Sequence, residues 1–211
     1  MRLVGLTGGI ATGKSTFAAL LRARGAPVLD ADLLAREAVA KGSPGLADVV
    51  AAFGPEVLDA GGDLDRKRMA ARVFADPAAR EALERIVHPR VRAAMAAEVA
   101  RLAAAGAPLA FYDVPLLYEA GREGDVDLVA VVWAPPEAQL ERLAARDGMG
   151  RAAAEARLAA QLPIDEKAAR ADAVIANDGP ESALAAKADA LLADLAGGLG
   201  RRAPGAPGRR Y

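Results

Sequence analysis

Eight residues near the start of the chain have the types and the spacing that bind phosphate. They follow the pattern of a glycine, four free residues and then Gly-Lys-Ser/Thr, and they read Gly8-Gly9-Ile10-Ala11-Thr12-Gly13-Lys14-Ser15. The glycines permit the tight turn that points successive backbone N–H groups into one concavity, which suits anionic oxygens. Lys14 would contact the β- and γ-phosphates, and the Ser15 hydroxyl would bind the Mg²⁺ that accompanies ATP. The pattern therefore predicts a site for a nucleoside triphosphate.

The residues on either side of this loop support the prediction. A phosphate loop must leave a buried strand and open a helix, and the apolar run at residues 3–7 suits such a strand. After the loop, Phe17, Leu20 and Leu21 fall on one helix face, and Gly25 can end that helix. The alternative is a glycine-rich turn that binds nothing, and these flanks favour the phosphate loop over it.

The composition narrows the functional classes. The 211 residues include 27 Lys and Arg and 28 Asp and Glu, so the net charge is −1. Because this balance provides no broad basic surface, we expect neither nucleic acid nor an anionic membrane as a partner. The absence of cysteine excludes a disulfide and a thiolate nucleophile, and a lone histidine argues against a Ser-His-Asp triad. We expect a cytoplasmic protein that is a monomer or a weak oligomer.

Short apolar runs alternate with helical segments along the chain. Runs suited to buried strands follow at residues 27–29, 109–112 and 128–133, with a weaker one at 173–176. This order predicts the α/β class, with a parallel sheet covered by helices on both faces, and ligands bind beyond the carboxyl ends of such strands. The polar residues that follow the strands are therefore candidates for the site, namely Asp30, Asp32, Asp113 and Asn177.

The spacing of these runs predicts the domain organisation. Residues 1–34, 107–135 and 171–197 would form a nucleotide-binding core. Residues 35–106 have a helical pattern throughout and are too many for one crossover, so we expect an inserted helical substrate domain. Residues 136–170 would form a lid. We expect the Gly-, Pro- and Arg-rich tail at 198–211 to be disordered.

Two carboxylates after the second strand suit acid–base chemistry. In extended backbone Asp30 and Asp32 point to the same side, so one could accept a proton from a substrate hydroxyl while the other orients it. The alternative is that one of them caps the following helix, and we expect Asp32 to lie nearer that cap. Asp113 could support Mg²⁺, although many parallel strands end in aspartate.

Arginines and a histidine elsewhere in the chain are further candidates. Arg142 and Arg146 lie one helical turn apart, so they either form a solvated helix face or close over transferring phosphate as part of the lid. Next to a phosphate loop we favour the lid. Pro89 should interrupt or kink the helix that holds His88, and this histidine could contact substrate or simply pack.

These motifs together resemble the dephospho-CoA kinases. The resemblance rests on residues 5–15, Asp30-Ala31-Asp32, His88-Pro89, residues 114–117 with Glu119, the helix from Arg142 to Arg146, and Gln161 followed by Lys167, Ala171-Asp172, Ile175, Asn177 and Gly179. It spans nearly the whole chain short of the tail. One departure is visible, since many members have a glycine where this chain has Ala11, which is tolerable if the local φ is negative.

The resemblance implies a fold, a reaction and a set of site residues. The fold would be that of the phosphate-loop nucleoside monophosphate kinases, and the reaction would be the ATP-dependent phosphorylation of the ribose 3′-hydroxyl of dephospho-CoA. The implied catalytic residues are Asp32 as base, Lys14 and Arg142. ATP would be bound by Gly8, Gly9, Ile10, Ala11, Thr12, Gly13, Lys14, Ser15, Thr16 and Arg142. The substrate would be bound by Asp30, Asp32, His88, Leu116, Leu117 and Glu119. Ser15 would bind Mg²⁺.

Two other functions share part of this pattern. Another small-molecule or nucleoside kinase of the same fold shares the phosphate loop, and only the combination of motifs separates it from the dephospho-CoA kinases. A GTP-dependent switch protein would carry Asn-Lys-x-Asp after a late strand. This chain has Asn177-Asp178-Gly179-Pro180 there, so the switch is the weaker interpretation.

Overall fold

The computed structural model of the protein describes residues 1–203 and 206–211, with the side chain of Glu181 excepted. The chain divides into two compact units. The first comprises Met1–Leu29 with Gly106–Tyr211, and the second comprises Asp30–Ala105. The second unit begins five residues before the start expected for the helical insertion, at the residue that caps its first helix.

A parallel sheet forms the centre of the first unit. The strands are β1 Arg2–Gly8, β2 Val28–Asp30, β3 Leu109–Asp113, β4 Leu128–Trp133, β5 Ala173–Ala176 and β6 Arg209–Arg210. Their order in the sheet is β2-β3-β1-β4-β5-β6, and β1 pairs with β3 and β4. The helices of this unit are α1 Lys14–Ala23, α6 Pro136–Asp147, α7 Arg151–Ala159, α8 Ile164–Arg170 and α9 Glu181–Ala196, with a short 3-10 turn at Glu123–Asp125. The predicted α/β class with a parallel sheet is confirmed.

Alternating side chains of the strands build the main core. Val4 and Leu6 of β1 are buried in one cluster with Phe17 and Leu21 of α1, and Leu191 of α9 joins them. On this face the side chains of β1, β3, β4 and β5 are apolar, and β1 is paired with β3 on one edge and with β4 on the other. The loop that follows β1 therefore starts from a rigid support.

The second unit is helical. It contains α2 Ala31–Ala38, α3 Pro44–Phe53, α4 Arg66–Ala75 and α5 Pro77–Ala104, with a 3-10 turn at Pro55–Val57. Its core gathers Val49, Phe53, Val57 and Met69 with residues of α5. The expected interruption at Pro89 does not occur, because α5 continues through it. Proline removes one donor to the carbonyl four residues earlier, and the remaining turns hold the helix together.

The C-terminal tail differs from the expectation of disorder. Arg209 and Arg210 pair in parallel with Ala173 and Val174 of β5, and the Tyr211 hydroxyl donates to Asp194 Oδ2 at 2.6 Å. The last residues of the tail are ordered here because they add backbone hydrogen bonds to an open sheet edge, a contribution that composition does not reveal. Residues 204 and 205, which fall in the same predicted tail, lie outside the described residues.

No helix in the described part of the chain is both long enough and apolar enough to cross a membrane.

Candidate active site

The predicted phosphate loop joins β1 to α1. β1 ends at Gly8 and α1 begins at Lys14, which is the strand–loop–helix context that the sequence predicts. Gly13 has φ +90°, and a Cβ there would lie 2.2 Å from Asn177 Nδ2. A Cβ on Gly8 would lie 2.8 Å from the Val132 carbonyl oxygen. Both positions therefore require glycine, one for its backbone conformation and both for the close approach of neighbouring atoms.

Ala11 corrects the sequence interpretation of this loop. Its φ is +58°, so the condition under which a methyl group would be tolerated without strain is not met. An alanine in the left-handed region costs about 1–2 kcal/mol because its Cβ crowds the backbone. The loop accepts this strain while Ile10 and Ala11 pack beside Leu140 and Leu143 of α6.

A cavity of about 430 Å³ opens at the loop. Its lining is Gly8, Gly9, Ile10, Ala11, Thr12, Gly13, Lys14, Ser15, Pro115, Arg142, Arg146 and Gln161. The structure thus brings together every residue of the predicted ATP set except Thr16, which lies in the first turn of α1 and does not line the cavity. The volume, the loop N–H groups and three cationic side chains suit a polyphosphate.

Lys14 and Asp113 form an ion pair within this region. The lysine side chain is 15% exposed and the aspartate side chain 7% exposed. β1 and β3 are adjacent, with Leu6 opposite Asp113, so the topology places the carboxylate beside the loop. The pair holds the Lys14 ammonium inside the cavity, and Asp113 is the strand-end acid that the sequence suggested only weakly.

Arg142 connects α6 with the loop. Its guanidinium donates to the carbonyls of Ala11 and Thr12, both at 3.4 Å, and to the carbonyl of Asn177 at 2.9 Å. Asn177 Nδ2 donates to the Thr12 carbonyl at 2.8 Å. A planar guanidinium can span several carbonyls at once, which a lysine cannot. Arg142 is therefore held over the loop, and Arg146 lines the same cavity one turn further along.

Comparison with known proteins agrees with this geometry. The family model described as dephospho-CoA kinase matches residues 2–182. The chain belongs to the dephospho-CoA kinase family. A dephospho-CoA kinase of Anaeromyxobacter dehalogenans is 68% identical over 211 residues, covering 100% of both chains. One of Geobacter metallireducens is 52% identical over 179 residues, covering 85% of this chain and 89% of that protein. The solved structure of the Campylobacter jejuni dephospho-CoA kinase has a TM-score of 0.71 and 28% identity, covering 93% and 98%.

The acidic pair expected in a dephospho-CoA kinase lies at the start of the second unit. Asp30 is the N-cap of α2, and its Oδ1 accepts from Asp32 N at 2.9 Å and Leu33 N at 3.1 Å. The expectation that Asp32 lies nearer the cap is wrong, since an N-cap carboxylate must precede the free N–H groups that it accepts from. The cap leaves the Asp32 side chain exposed. Its role as base stays a prediction.

His88 is exposed on α5 of the second unit. It lines a cavity of about 360 Å³ with Glu84, Arg85 and Arg92 of the same helix. The side chain is therefore accessible and surrounded by charge, as a substrate contact requires, and its role also stays a prediction.

The segment after β3 separates into different environments. Leu117 is fully buried and packs beside Gly5, where a Cβ would meet it at 3.2 Å, so its side chain supports the sheet and does not reach the cavity. Leu116 is 45% exposed and stays available as a substrate contact. Glu119 pairs with Lys167 at 2.6 Å, and its Oε1 also accepts from Leu162 N at 3.0 Å.

The sequence motifs alone indicate no role for Lys167 or Gln161. Lys167 is a fully buried lysine on α8, and its Nζ also donates to the Gly8 carbonyl at 3.1 Å. Gln161 Oε1 accepts from Ile10 N at 2.8 Å. Both residues are among those on which the family resemblance rests, but the resemblance did not indicate what either side chain does.

Proposed function

We propose that the chain transfers the γ-phosphoryl group of ATP to the ribose 3′-hydroxyl of dephospho-CoA, yielding CoA and ADP. The observation that carries the proposal is the family match over residues 2–182, which includes the whole phosphate-loop cavity. The 3′-hydroxyl oxygen attacks the γ-phosphorus, and the bond from that phosphorus to the oxygen bridging the β- and γ-phosphates breaks. ADP leaves with the bridging oxygen.

Lys14 and Arg142 stabilise charge in this reaction. Phosphoryl transfer spreads negative charge over the equatorial oxygens, and fixed cations at the cavity stabilise that charge without reorganising. The ion pair with Asp113 holds Lys14, and three carbonyl contacts hold Arg142. Both cations are therefore positioned before the nucleotide arrives.

Asp32 accepts the proton of the 3′-hydroxyl as the reaction proceeds. The support for this role is the family motif at Asp30-Ala31-Asp32 and the exposure of the Asp32 carboxylate, since Asp30 is already engaged as the helix cap. An exposed carboxylate that is not committed to a cap can accept a substrate hydroxyl. His88 and Leu116 would contact the rest of dephospho-CoA.

The residues at the loop fit Mg²⁺. Within residues 1–203 and 206–211 no group of three or more His, Cys, Asp or Glu could hold a metal ion, and Mg²⁺ in kinases needs no such group. It takes one or two protein oxygens and completes its shell with phosphate oxygens and water. The Ser15 hydroxyl, in the cavity lining, would be that ligand. When bound, the ion neutralises charge on the β- and γ-phosphates.

The first experiment measures ADP release by the purified protein with ATP and Mg²⁺. The acceptors are dephospho-CoA, adenosine, AMP and shikimate, with a control lacking acceptor. We expect turnover with dephospho-CoA and CoA as the product. Turnover only with a different acceptor would contradict dephospho-CoA as the substrate and leave the assignment of the phosphate loop unchanged. The protein would then be another small-molecule kinase of the same fold.

Paired variants test the proton acceptor. Asp32→Asn should keep ATP affinity and lower kcat by about 10²–10⁴-fold, because the amide cannot take the hydroxyl proton. Asp30→Asn is the matched control, since asparagine caps a helix as well as aspartate does. A variant at Asp32 that loses ATP affinity while kcat survives would contradict the base role.

We further propose a cytoplasmic location, a monomer or weak oligomer, and no nucleic acid or membrane partner.

A further inference from the structure

Gln161 connects the phosphate loop with the segment between α7 and α8. α7 ends at Ala159 and α8 begins at Ile164, so Gln161 lies on the short turn that joins them. Its backbone N–H donates to the Leu158 carbonyl at 3.1 Å, which ties the turn to the end of α7. Its Oε1 accepts from Ile10 N at 2.8 Å. A side chain from a distant part of the sequence therefore occupies a backbone donor of the loop.

The Ile10 N–H is one of the backbone donors of the phosphate loop. Backbone N–H groups of this kind of loop bind phosphate oxygens, and Ile10 and Gln161 both line the loop cavity. An N–H has one hydrogen, so it makes one strong hydrogen bond at a time. A phosphate oxygen is anionic, and hydrogen bonds to ionised acceptors are roughly twice as strong as those to a neutral amide oxygen. The phosphate oxygen would therefore displace Gln161 Oε1.

Displacement of the Gln161 side chain would remove one of the contacts that hold the turn between α7 and α8. Leu162, the next residue, donates its N–H to Glu119 Oε1 at 3.0 Å, and Asp165 Oδ1 accepts from Trp133 Nε1 at 2.6 Å. A second cavity of about 400 Å³ lies beside this segment and shares Gly9 and Gln161 with the loop cavity. The segment is thus held by the contacts of Leu162 and Asp165, and the contact of Gln161 with Ile10 ties it to the phosphate loop.

We propose that Gln161 is a positioning residue that competes with a nucleotide phosphate for the Ile10 N–H, so that nucleotide binding releases the α7–α8 turn. The inference rests on the proposed function only for the nucleotide and is independent of the acceptor. Gln161 therefore lowers the affinity of the protein for the nucleotide, because the nucleotide must break the hydrogen bond between Ile10 N and Gln161 Oε1. The released turn is then free to rearrange around the phosphates.

Calorimetric titration of ATP and ADP, without acceptor, tests the competition. Gln161→Met keeps the volume and removes the acceptor, so Kd for ATP should fall about fivefold relative to the wild type, the equivalent of one net hydrogen bond. Gln161→Glu keeps the acceptor and adds a negative charge beside the phosphates, so Kd should rise at least about tenfold. Glu166→Met, at an exposed position on α8, is the matched control and should bind as the wild type does.

The fluorescence of Trp133 is a second measurement, and it would not change with ATP if Gln161 only supported the structure. It is the chain's one tryptophan, and its indole N–H contacts Asp165 just beyond the turn. ATP should change its emission in the wild type, and Gln161→Met should show part of that change before ATP is added.

Weaker ATP binding in Gln161→Met, in parallel with Gln161→Glu, would overturn the proposal, since it would mean that Gln161 donates to the nucleotide or supports the loop. Equal Kd in all variants would overturn it as well. ATP binding without turnover of dephospho-CoA would contradict the proposed substrate and leave this test intact.

Discussion

The buried lysine behind the phosphate loop offers a quantitative test of how the site is supported. Lys167 has a fully buried side chain, and its ammonium contacts the Gly8 carbonyl and the Glu119 carboxylate, whose side chain is 21% exposed. Lys167→Met fills a similar volume but leaves Glu119 without its cation and Gly8 without its donor. Removing one partner of a buried pair costs about 3–5 kcal/mol, and the partial exposure of Glu119 places the expected loss in unfolding free energy at about 3 kcal/mol.

Urea unfolding at pH 7 measures this loss and separates it from simple packing. At about 2–4 °C per kcal/mol for a chain of this size, the melting temperature should fall by about 6–12 °C. Glu119→Gln keeps an acceptor for Leu162 N but leaves the fully buried ammonium without its counter-charge, so it should also cost about 3 kcal/mol. The double variant should lose at least about 1 kcal/mol less than the sum of the two single losses, because neither partner is then left alone.

Lys187, a more exposed lysine with similar contacts, provides the control for Lys167. Lys187 contacts the Ala176 carbonyl and Asp178, and its side chain is 23% exposed, so Lys187→Met should cost less than about 1 kcal/mol. A loss below about 1 kcal/mol for Lys167→Met, or fully additive single losses, would refute the reasoning that this ion pair supports the loop. The coupling should also persist in 0.5 M salt, since salt screens buried pairs much less than exposed ones.

Three further predictions use the loop and the tail. Ala11→Gly relieves about 1–2 kcal/mol of backbone strain against an entropy cost of about 0.5–1 kcal/mol, so the net gain of about 0.5–1 kcal/mol should raise the melting temperature by about 1–4 °C; a lower melting temperature would contradict the strain. Arg142→Lys should lower kcat/KM for ATP by about tenfold, since an ammonium cannot span three carbonyls, and unchanged kinetics would count against the role of Arg142. Burial, and then Asp194, raise the pKa of Tyr211 above about 10. The stability that this tyrosine adds should therefore be complete below pH 10 and be lost above it. Alkaline unfolding of Tyr211→Phe should lack that component, and identical curves would argue against it.

The predictable part of the site was the part encoded locally. The glycines, Lys14 and Ser15 define the loop by their spacing, and the strands at 128–133 and 173–176 have the bounds that their apolar runs predict. Local patterns of this kind depend on neighbours in sequence, so one chain is enough to recognise them.

The parts that escaped prediction depend on contacts between distant residues. Ala11 has its positive φ in a loop that packs against α6, and the contact of Gln161 with Ile10 joins positions 151 residues apart. The composition of the tail predicts disorder, yet backbone pairing with β5 orders Arg209 and Arg210. The resemblance implies that Leu117 contacts substrate, and only the packing around Gly5 shows it to be core.

The central position of β1 in the sheet has a consequence for how the protein is made on the ribosome. β1 is among the first residues synthesised, but both of its neighbours, β3 and β4, begin more than 100 residues later, at Leu109 and Leu128. At about 5–20 residues per second, β1 waits roughly 5–20 s for the first of them. The helical residues Asp30–Ala105 emerge during that interval and can form their own compact unit first. The phosphate loop is thus encoded first and completed late, after the helical unit has left the ribosome.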